Sequence, residues 1–270
     1  VEDTSETGNG VAIRTAVAPG DHVMTAGADV AAGQRALGPG TRLTPREVGL
    51  LSALGVESVP VVAPPVVGIV STGEELVRPG ADLNPEAGQI HDVNSYAIGT
   101  AVEAAGGDPS YYPHVGDDEA ALEACLVDAA EECDLVLSSG STSAGAIDVI
   151  HRVIERRGDL LLHGVAVKPG KPTLVGRIGG AAYVGLPGYP VSALTIFRQF
   201  VAPAIRDAAG LPDARTASVD AEMAVRERFG EGRHRLVPVG LVEDGDGALL
   251  AYSVDKGSGA TTTLTAADGV

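Results

Sequence analysis

Two of the three lysines in the chain, Lys168 and Lys171, lie close together in a short segment rich in proline and glycine. The formal net charge is −17, and apart from Lys256 every other strongly basic residue is an arginine. A lysine ammonium is a compact charge that suits phosphate and other oxyanions, whereas the planar arginine fork suits bidentate pairing. The pair therefore predicts an anion-binding turn. The alternative is a hairpin turn with two solvated lysines, and the segment alone favours that alternative.

An acidic loop follows the apolar run at 66–71, which has the pattern of a strand buried on both faces. The loop begins with Thr72 and Gly73 and continues to Glu75. A hydroxyl, a glycine and carboxylates at the end of a strand can hold a metal ion or a substrate amine. The alternative is an ordinary helix start with acidic residues in its first turn.

A loop of small residues, SGSTSAGAID at 139–148, follows a second buried run at 134–139. Glycine and serine let backbone amides approach an anion closely, and the dipole of the next helix favours negative charge there. The serine and threonine hydroxyls can bond to phosphate oxygens, and Asp148 can bind Mg²⁺ through oxygen. The loop lacks the lysine of a P-loop, so it is not one.

A fourth loop, GLPGYPVSAL at 185–194, follows another predicted strand. Pro187 and Pro190 fix the turn, Gly188 permits close approach, and a helix begins immediately afterwards. Two glycine loops together with paired lysines favour a phosphate-bearing small ligand over a purely structural explanation.

Strands and helices alternate from residue 66 to residue 209, which predicts a mainly parallel, right-handed, three-layer α/β domain. In such sheets ligands bind outside the carboxyl ends of the strands. Residues 1–62 have short β pieces and one helix, and 214–270 have the short strands of a small β-barrel that is cut short. The predicted domains are therefore 1–62, 66–209 and 214–270. Helices are predicted at 44–54, 94–105, 117–130 and 191–209, and strands at 66–71, 110–115, 134–139, 160–167, 172–177, 181–186, 214–224, 235–242 and 248–254.

The composition is that of a globular protein, with 44% hydrophobic and 20% charged residues. No run of eighteen apolar residues occurs, so no membrane span is predicted. Excess acid argues against nucleic acid as a partner and resembles a salt-adapted surface, although an ordinary acidic protein of a GC-rich genome is the alternative. Cys125 and Cys133 have no metal-binding spacing and fit a reducing cytosol. The start at Val1, with neither a signal segment nor an initiator methionine, predicts a cytoplasmic protein and an incomplete chain.

Five motifs occur in one order: STGEEL from Ser71, IHDVN from Ile90, SGSTSAGAID, VKPGKP from Val167 and GLPGYPVSAL. This series resembles the molybdopterin molybdenumtransferases, the MoeA and gephyrin type, and extends more weakly to both ends of the chain. The resemblance implies a MogA-like α/β domain preceded by partial linker domains and followed by a partial β-barrel. An archaeal, salt-adapted member is expected.

The family resemblance implies insertion of molybdate into adenylylated molybdopterin in the presence of Mg²⁺, with release of AMP. It implies that Lys168 and Lys171 hold oxyanions and that Glu75 and Asp148 act in catalysis and metal binding. It also implies a homodimer, a molybdopterin adenylyltransferase as a further partner, and neither nucleic acid nor membrane. The remaining implied binding residues are Thr72, Gly73, Asp92, Asn94, Gly140, Ser141, Ser143, Gly145, Gly170, Pro187, Gly188, Tyr189, Pro190 and Ser192.

The motifs depart from the family pattern at a few positions: Ser141 and Thr142 stand where Gly-Val is usual, and Tyr189 stands where asparagine is usual. One alternative is a molybdopterin adenylyltransferase, which shares the α/β domain, but 1–62 and 214–270 weigh against it. A second alternative is a non-catalytic molybdopterin or molybdate-binding module, in which the acidic residues would be dispensable.

Overall fold

The chain divides into two compact units in the computed structural model, Val1–Val59 and Pro60–Val270. The structure describes residues 2–116, 118–140, 144–228, 230 and 232–270, apart from the side chains of 144–148. No helix in these ranges is long and apolar enough to cross a bilayer.

The first unit contains one β-hairpin and one helix. Strands β1 (Thr4–Thr7) and β2 (Gly10–Ile13) pair antiparallel, and helix α1 follows at Pro45–Ala53. Pro45 fits the first turn because its missing amide hydrogen would have no partner there. The Thr44 amide donates to the Glu47 carboxylate at 2.9 Å, which satisfies a further free donor at this end. This unit therefore consists of short strands and one helix.

The second unit contains the remaining elements in an alternating order. In chain order they are β3 (Val66–Ser71), β4 (Leu76–Val77), a 3₁₀ turn (Pro85–Ala87), β5 (Ile90–His91), α2 (Asn94–Ala105), β6 (Asp108–Tyr111), α3 (Glu119–Glu132), β7 (Leu135–Ser139), α4 (Ala144–Arg157), β8 (Gly158–His163), β9 (Val167–Lys168), β10 (Leu174–Ile178), β11 (Ala181–Leu186), α5 (Pro190–Ile196), a π-helical turn (Phe197–Val201), α6 (Ala202–Ala208), β12 (Glu222–Met223), β13 (His234–Arg235), β14 (Val239–Glu243), β15 (Leu249–Ser253) and α7 (Thr262–Thr265).

Six strands form the central sheet, in the order β6-β3-β7-β11-β10-β8. The first four are mutually parallel, as predicted, whereas β10 runs antiparallel to both of its neighbours, β11 and β8. A parallel connection needs a crossover of a dozen or more residues, and no helix separates β8, β10 and β11. The two-residue turn at Gly179 and Gly180 leaves Ile178 paired with Ala181, so this part can only fold back on itself.

Each face of the sheet carries its own apolar core, because successive strand residues point to opposite sides. On β3, Val67 and Ile69 belong to one core, whereas Val70 belongs to the other. The first core is completed by α2, α5 and α6, and the second by α3 and α4. The buried helix residues are Ile98, Val102, Ile196 and Ile205 in the first core and Leu122, Leu126, Ile150, Val153 and Ile154 in the second.

Helices α3 and α4 are also joined by exposed ion pairs. Arg152 and Arg156 donate to Glu119 at 2.6 and 2.8 Å, and Arg156 also pairs with Glu123 at 2.6 Å. Hydrogen bonds from the two arginines lower the pKa of the Glu119 carboxyl to about 2. Asp118 caps α3 by accepting from the amides of residues 120 and 121 at 2.8 and 3.0 Å.

Several predicted element bounds are wrong. The helix predicted at 191–209 starts at Pro190 and is interrupted by the π-helical turn, which precedes Pro203, a residue that cannot donate to the carbonyl four positions earlier. Of the strand predicted at 214–224, only Glu222–Met223 (β12) forms a strand. The strand predicted at 235–242 is split into β13 and β14, because Pro238 cannot donate to a ladder.

The first core makes a direct prediction for Leu137 on β7, which is 0% exposed. Leu137→Ala removes buried methyl groups and leaves a cavity, so we expect the free energy of unfolding to fall by about 2–5 kcal/mol in urea titrations. Leu161 on the edge strand β8 is 65% exposed, so Leu161→Ala should change it by no more than about 0.5 kcal/mol. Equal effects of the two substitutions would contradict the assigned core.

Candidate active site

Three of the predicted loops leave the sheet from the same edge. Strands β3, β7 and β11 are parallel, and their last residues are in register: Ser71 pairs with Ser139, which pairs with Leu186. Strand β10 runs the other way, and its first residue, Leu174, pairs with Gly185. The lysine segment that precedes β10 therefore lies at this edge as well.

Asn94, the first residue of α2, joins two of these loops. Its side-chain amide donates to the Ser139 hydroxyl at 2.7 Å and to the Gly188 carbonyl at 2.8 Å. The residue is 7% exposed, and its Oδ1 is buried without a hydrogen-bond partner in the described part of the chain. An unpaired buried acceptor lowers the stability of the fold by about 1–3 kcal/mol, so the global stability of the protein does not explain why this side chain is buried. Its two hydrogen bonds instead hold the loops after β7 and β11 in position.

Glycine is required at the end of β7 because the first loop passes against it. Gly140 has φ +112°, and a Cβ atom there would lie 1.9 Å from the Thr72 carbonyl oxygen. The Thr72 amide in turn donates to the Ser139 carbonyl at 2.9 Å. Gly73 has φ +138°, and a Cβ atom there would lie 2.7 Å from a Glu75 carboxylate oxygen. The Glu75 side chain thus folds back over the loop backbone.

A cleft of about 650 Å³, here called the carboxylate cleft, opens over these loops. Glu75 and Asp92 supply its carboxylates. The Ser95 amide donates to Asp92 Oδ1 at 3.1 Å, and the Ile90 amide donates to the Glu75 carbonyl at 2.8 Å, so both acidic segments are held by α2 and the β4–β5 pair. The lining residues are Glu75, Leu76, Ile90, His91, Asp92, Val93, Asn94, Gly140, Gly188, Tyr189, Pro190, Gly259 and Thr261.

A second cleft of about 500 Å³, here called the basic cleft, contains the paired lysines. Strand β13 pairs with β9 and sets Arg235 opposite Lys168, and the Leu236 amide donates to the Lys168 carbonyl at 2.9 Å. Arg235 lies 3.8 Å from Asp255. The charged residues that line this cleft are Lys168, Lys171, Arg233, Arg235 and Asp255.

The backbone of the lysine segment is tightly held, although its lysine side chains are exposed. Gly170 has φ +119°, and a Cβ atom there would lie 2.4 Å from the Ile196 side chain. The Thr173 hydroxyl donates to the Gly170 carbonyl at 2.7 Å, and the Val165 amide donates to the Lys171 carbonyl at 2.9 Å. Two ammonium groups are therefore presented from a fixed turn.

The structure distributes the predicted site residues over two clefts. Tyr189 lines both clefts, whereas Thr72 and Gly73 line neither and form part of the wall behind Gly140. Ser141 and Ser143 lie outside the described residues, as does the side chain of Asp148 on α4, and Gly145 is described only as a helical residue of α4. The carboxylate cleft receives Glu75, Asp92, Asn94, Gly140, Gly188 and Pro190, and the basic cleft receives Lys168, Gly170, Lys171, Pro187 and Ser192.

Arg235, Asp255 and Gly259 line the clefts but lie outside the five sequence motifs. Arg233 and Arg235 alternate in an extended segment, and alternate residues share a face, which is a signal for a basic strip. What brings the strip to Lys168 is the pairing of β13 with β9, between segments far apart in the chain. No local pattern indicates that pairing.

Comparison with known proteins decides the family. The profile of the probable molybdopterin binding domain matches residues 68–207, between matches of the MoeA N-terminal region (domain I and II) to residues 1–55 and the MoeA C-terminal region (domain IV) to residues 220–270. The chain belongs to the MoeA family. The predicted family and the MogA-like α/β fold with a mostly parallel sheet are thereby confirmed, and the adenylyltransferase alternative loses support.

Relatives of this MoeA-family chain come from several organisms. It is 42% identical over 222 residues to molybdopterin molybdenumtransferase 2 of Mycobacterium tuberculosis, covering 79% of the chain and 54% of the relative. It is 33% identical over 248 residues to the molybdopterin molybdenumtransferase of Bacillus subtilis, covering 90% and 56%. The crystal structure of a molybdopterin biosynthesis MoeA protein from Pyrococcus horikosii matches with a TM-score of 0.73 and 35% identity, covering 99% of this chain and 65% of that one. The chain thus spans about half the length of the curated relatives it matches.

The close approach at Gly140 makes a prediction about this MoeA-family site. Gly140→Ala sets a Cβ atom against the Thr72 carbonyl at a positive φ, so we expect the free energy of unfolding to fall by about 1–3 kcal/mol. Hydrogen exchange at the Thr72 amide should also quicken, because its bond to the Ser139 carbonyl is disturbed.

Gly180 provides the matched control for this substitution. Nothing lies within 4 Å of the position that a Cβ atom would take there. Gly180→Ala should therefore leave both the unfolding free energy and Thr72 exchange nearly unchanged. If the two glycine substitutions behaved alike, the loop contact at Gly140 would not constrain the site.

Proposed function

We propose that this chain carries part of a molybdenum insertase, which transfers molybdenum from molybdate to adenylylated molybdopterin and releases AMP. The observation that carries this proposal is the pair of clefts at one sheet edge. One cleft is rich in cationic side chains and the other has two carboxylates, and Tyr189 lines both. The substrate is an anionic pterin whose phosphate groups and incoming oxyanion need cations, in a family whose relatives are named molybdopterin molybdenumtransferases.

The basic cleft is proposed to receive the oxyanions. Lysines and arginines line it together with one carboxylate, Asp255, on a protein whose overall charge is −17. A concave patch of one sign concentrates oppositely charged ligands, and here it does so against a repulsive surrounding surface. Lys168 and Lys171 would hold molybdate or the pterin phosphate and stabilise the negative charge that develops as the phosphate linkage breaks.

The carboxylate cleft is proposed to work with Mg²⁺. This ion is bound in proteins by one or two carboxylates together with substrate phosphates and water, and Glu75 provides such a donor in this cleft. Within the described ranges no three His, Cys, Asp or Glu residues group so as to hold a metal ion. Asp148, beyond the described side chains, is the proposed second protein ligand beside Glu75. When bound, the ion would neutralise charge on the phosphate linkage.

Asn94 and Gly140 are proposed to shape the carboxylate cleft rather than to react. The Asn94 amide keeps the loops after β7 and β11 at a fixed distance, and Gly140 leaves backbone exposed where a side chain would obstruct a phosphate. Water is the proposed acceptor of the adenylyl group, so no protein nucleophile is needed.

We also propose the compartment in which the protein acts and the proteins with which it associates. Cys125 and Cys133 are free thiols whose pKa is raised by burial, which fits a reducing compartment, and we propose action in the cytoplasm. The resemblance to the family supports a homodimer that shares its sites, with the molybdopterin adenylyltransferase as a possible donor of substrate. The division into 1–62, 66–209 and 214–270 stays a prediction.

Release of AMP tests the reaction itself. With adenylylated molybdopterin, Mg²⁺ and molybdate, we expect molybdate-dependent AMP release that falls at least about 100-fold in Asp148→Ala and in Glu75→Gln, because each removes a carboxylate from the phosphate site. Glu74→Gln is the neighbouring control and should retain most activity. Tight binding of the pterin without AMP release in the unmodified chain would support a binding module instead, and formation of the adenylylated pterin from ATP would indicate an adenylyltransferase.

The three lysines provide a test of the basic cleft that does not depend on turnover. Lys168→Ala and Lys171→Ala should each weaken equilibrium binding of molybdate by about 10-fold, because each removes a charge-assisted hydrogen bond. Lys256→Ala is the control, since Lys256 bonds to Thr262 at 3.4 Å and lines neither cleft.

The charge-conserving Lys171→Arg distinguishes a point charge from a general need for positive charge. We expect it to bind molybdate less well than the unmodified chain, because the planar guanidinium presents its donors differently. Full binding in Lys171→Arg would contradict the role given to a compact ammonium, and equal losses in all three alanine variants would indicate only a long-range charge effect.

A further inference from the structure

Tyr189 occupies an unusual position between the two clefts. It is 63% exposed and lines both the carboxylate cleft and the basic cleft. Its backbone is fixed, since its carbonyl accepts from the Ala193 amide at 2.9 Å and the preceding Gly188 carbonyl accepts from Asn94. A large, mostly apolar ring is therefore held in water at the boundary of a polar site, where burial of its faces would be favourable.

Tyr189 is also the sole Phe, Tyr or Trp among the described residues that line either cleft. The whole chain contains only six tyrosines, three phenylalanines and no tryptophan. Among the described lining residues, any stacking of a planar ligand on a benzene-type ring must therefore use Tyr189.

The C-terminal segment lies beside the ring. Gly259 packs beside it, so that a Cβ atom at this glycine would lie 3.5 Å from Tyr189 Cδ1, and the Ser258 carbonyl accepts from the Val191 amide at 3.1 Å. A flat group can approach the ring because Tyr189 is largely exposed and lines both clefts. The hydrogen bond between Val191 and Ser258 holds the segment that contains Gly259 beside the start of α5.

We propose that Tyr189 is a specificity-determining residue that stacks on a heteroaromatic ring of the substrate, while the attached anionic groups reach into the basic cleft. The inference rests on the proposed function. It adds that the protein recognises the ring of the ligand as well as its anionic groups. Two groups share the required chemistry, the adenine of the adenylyl group and the pterin. Stacking of a base on an aromatic side chain is typically lost with a roughly five- to 100-fold fall in affinity when that side chain is replaced by alanine.

Paired ligands that differ only in the ring test the proposal. AMP and ribose 5-phosphate share a phosphate and a sugar, but only AMP carries a base; 6-carboxypterin tests the pterin, and molybdate tests the anion alone. Calorimetric titration of Tyr189→Ala should show at least about a five-fold loss of affinity for AMP or for 6-carboxypterin. Affinity for ribose 5-phosphate and molybdate should stay within about two-fold. Loss for AMP alone assigns the ring as adenine, and loss for 6-carboxypterin alone assigns it as pterin.

Two further variants separate stacking from other effects. Tyr189→Phe keeps the ring and removes the hydroxyl, so it should bind the ring-bearing ligands within about two-fold of the unmodified chain. Phe200→Ala removes a 52% exposed aromatic that lines neither cleft and should change nothing. Equal losses for all four ligands in Tyr189→Ala would mean a structural role, and Tyr189→Phe as weak as Tyr189→Ala would mean a hydroxyl contact. Either result overturns the proposal.

The same titrations distinguish failure of the stacking role from failure of the proposed function. If molybdate binds and Lys171→Ala weakens it, but Tyr189→Ala leaves every ligand unchanged, the stacking role is wrong and the anion site stands. If the unmodified chain binds neither molybdate nor AMP nor 6-carboxypterin, the proposed function fails and the stacking role fails with it.

Discussion

The site depends on a single side-chain amide that joins the loops at the ends of two parallel strands. Asn94 donates to both Ser139 and the Gly188 carbonyl, and it does so from the first residue of a helix packed on the sheet. Hydrogen bonds from a buried side-chain amide need partners that are held in place. Here the register of the sheet holds Ser139 in place. The shape of the carboxylate cleft therefore depends on these two Asn94 hydrogen bonds.

Close backbone approach is the second constraint, and it explains where glycine is needed. At Gly140 the first loop's carbonyl lies where a side chain would be, and at Gly170 the Ile196 side chain does. These contacts allow the loop after β3 to lie against Gly140 and Ile196 of α5 to lie against the lysine turn.

Charge is separated across the site although all of its loops meet at one edge. Glu75 and Asp92 face one cleft, and the lysines and arginines face the other, with Tyr189 between them. Carboxylates directly beside the lysines would pair with them and compete with an anionic ligand. Separation leaves the cations available to oxyanions, and among the described lining residues Asp255 is the one carboxylate that shares their cleft.

The sequence by itself determined the α/β class, the loops at the strand ends and the family, because alternating apolar patterns and ordered motifs are local properties. It also indicated Lys168 and Lys171 as a cationic pair on a rigid turn. Element bounds near prolines, such as the interruption before Pro203, were less well predicted because packing decides them.

Only the tertiary structure decided that most of the predicted residues it describes fall into two clefts, and that the β13–β9 pairing adds Arg235 to the lysines. It likewise decided that Asn94 bridges two loops and that the lysine turn lies beside an antiparallel hairpin. The physical reason is common to all of these. They depend on hydrogen bonds and packing between segments distant in sequence, whose partners are selected by the folded sheet and are not encoded in any local pattern.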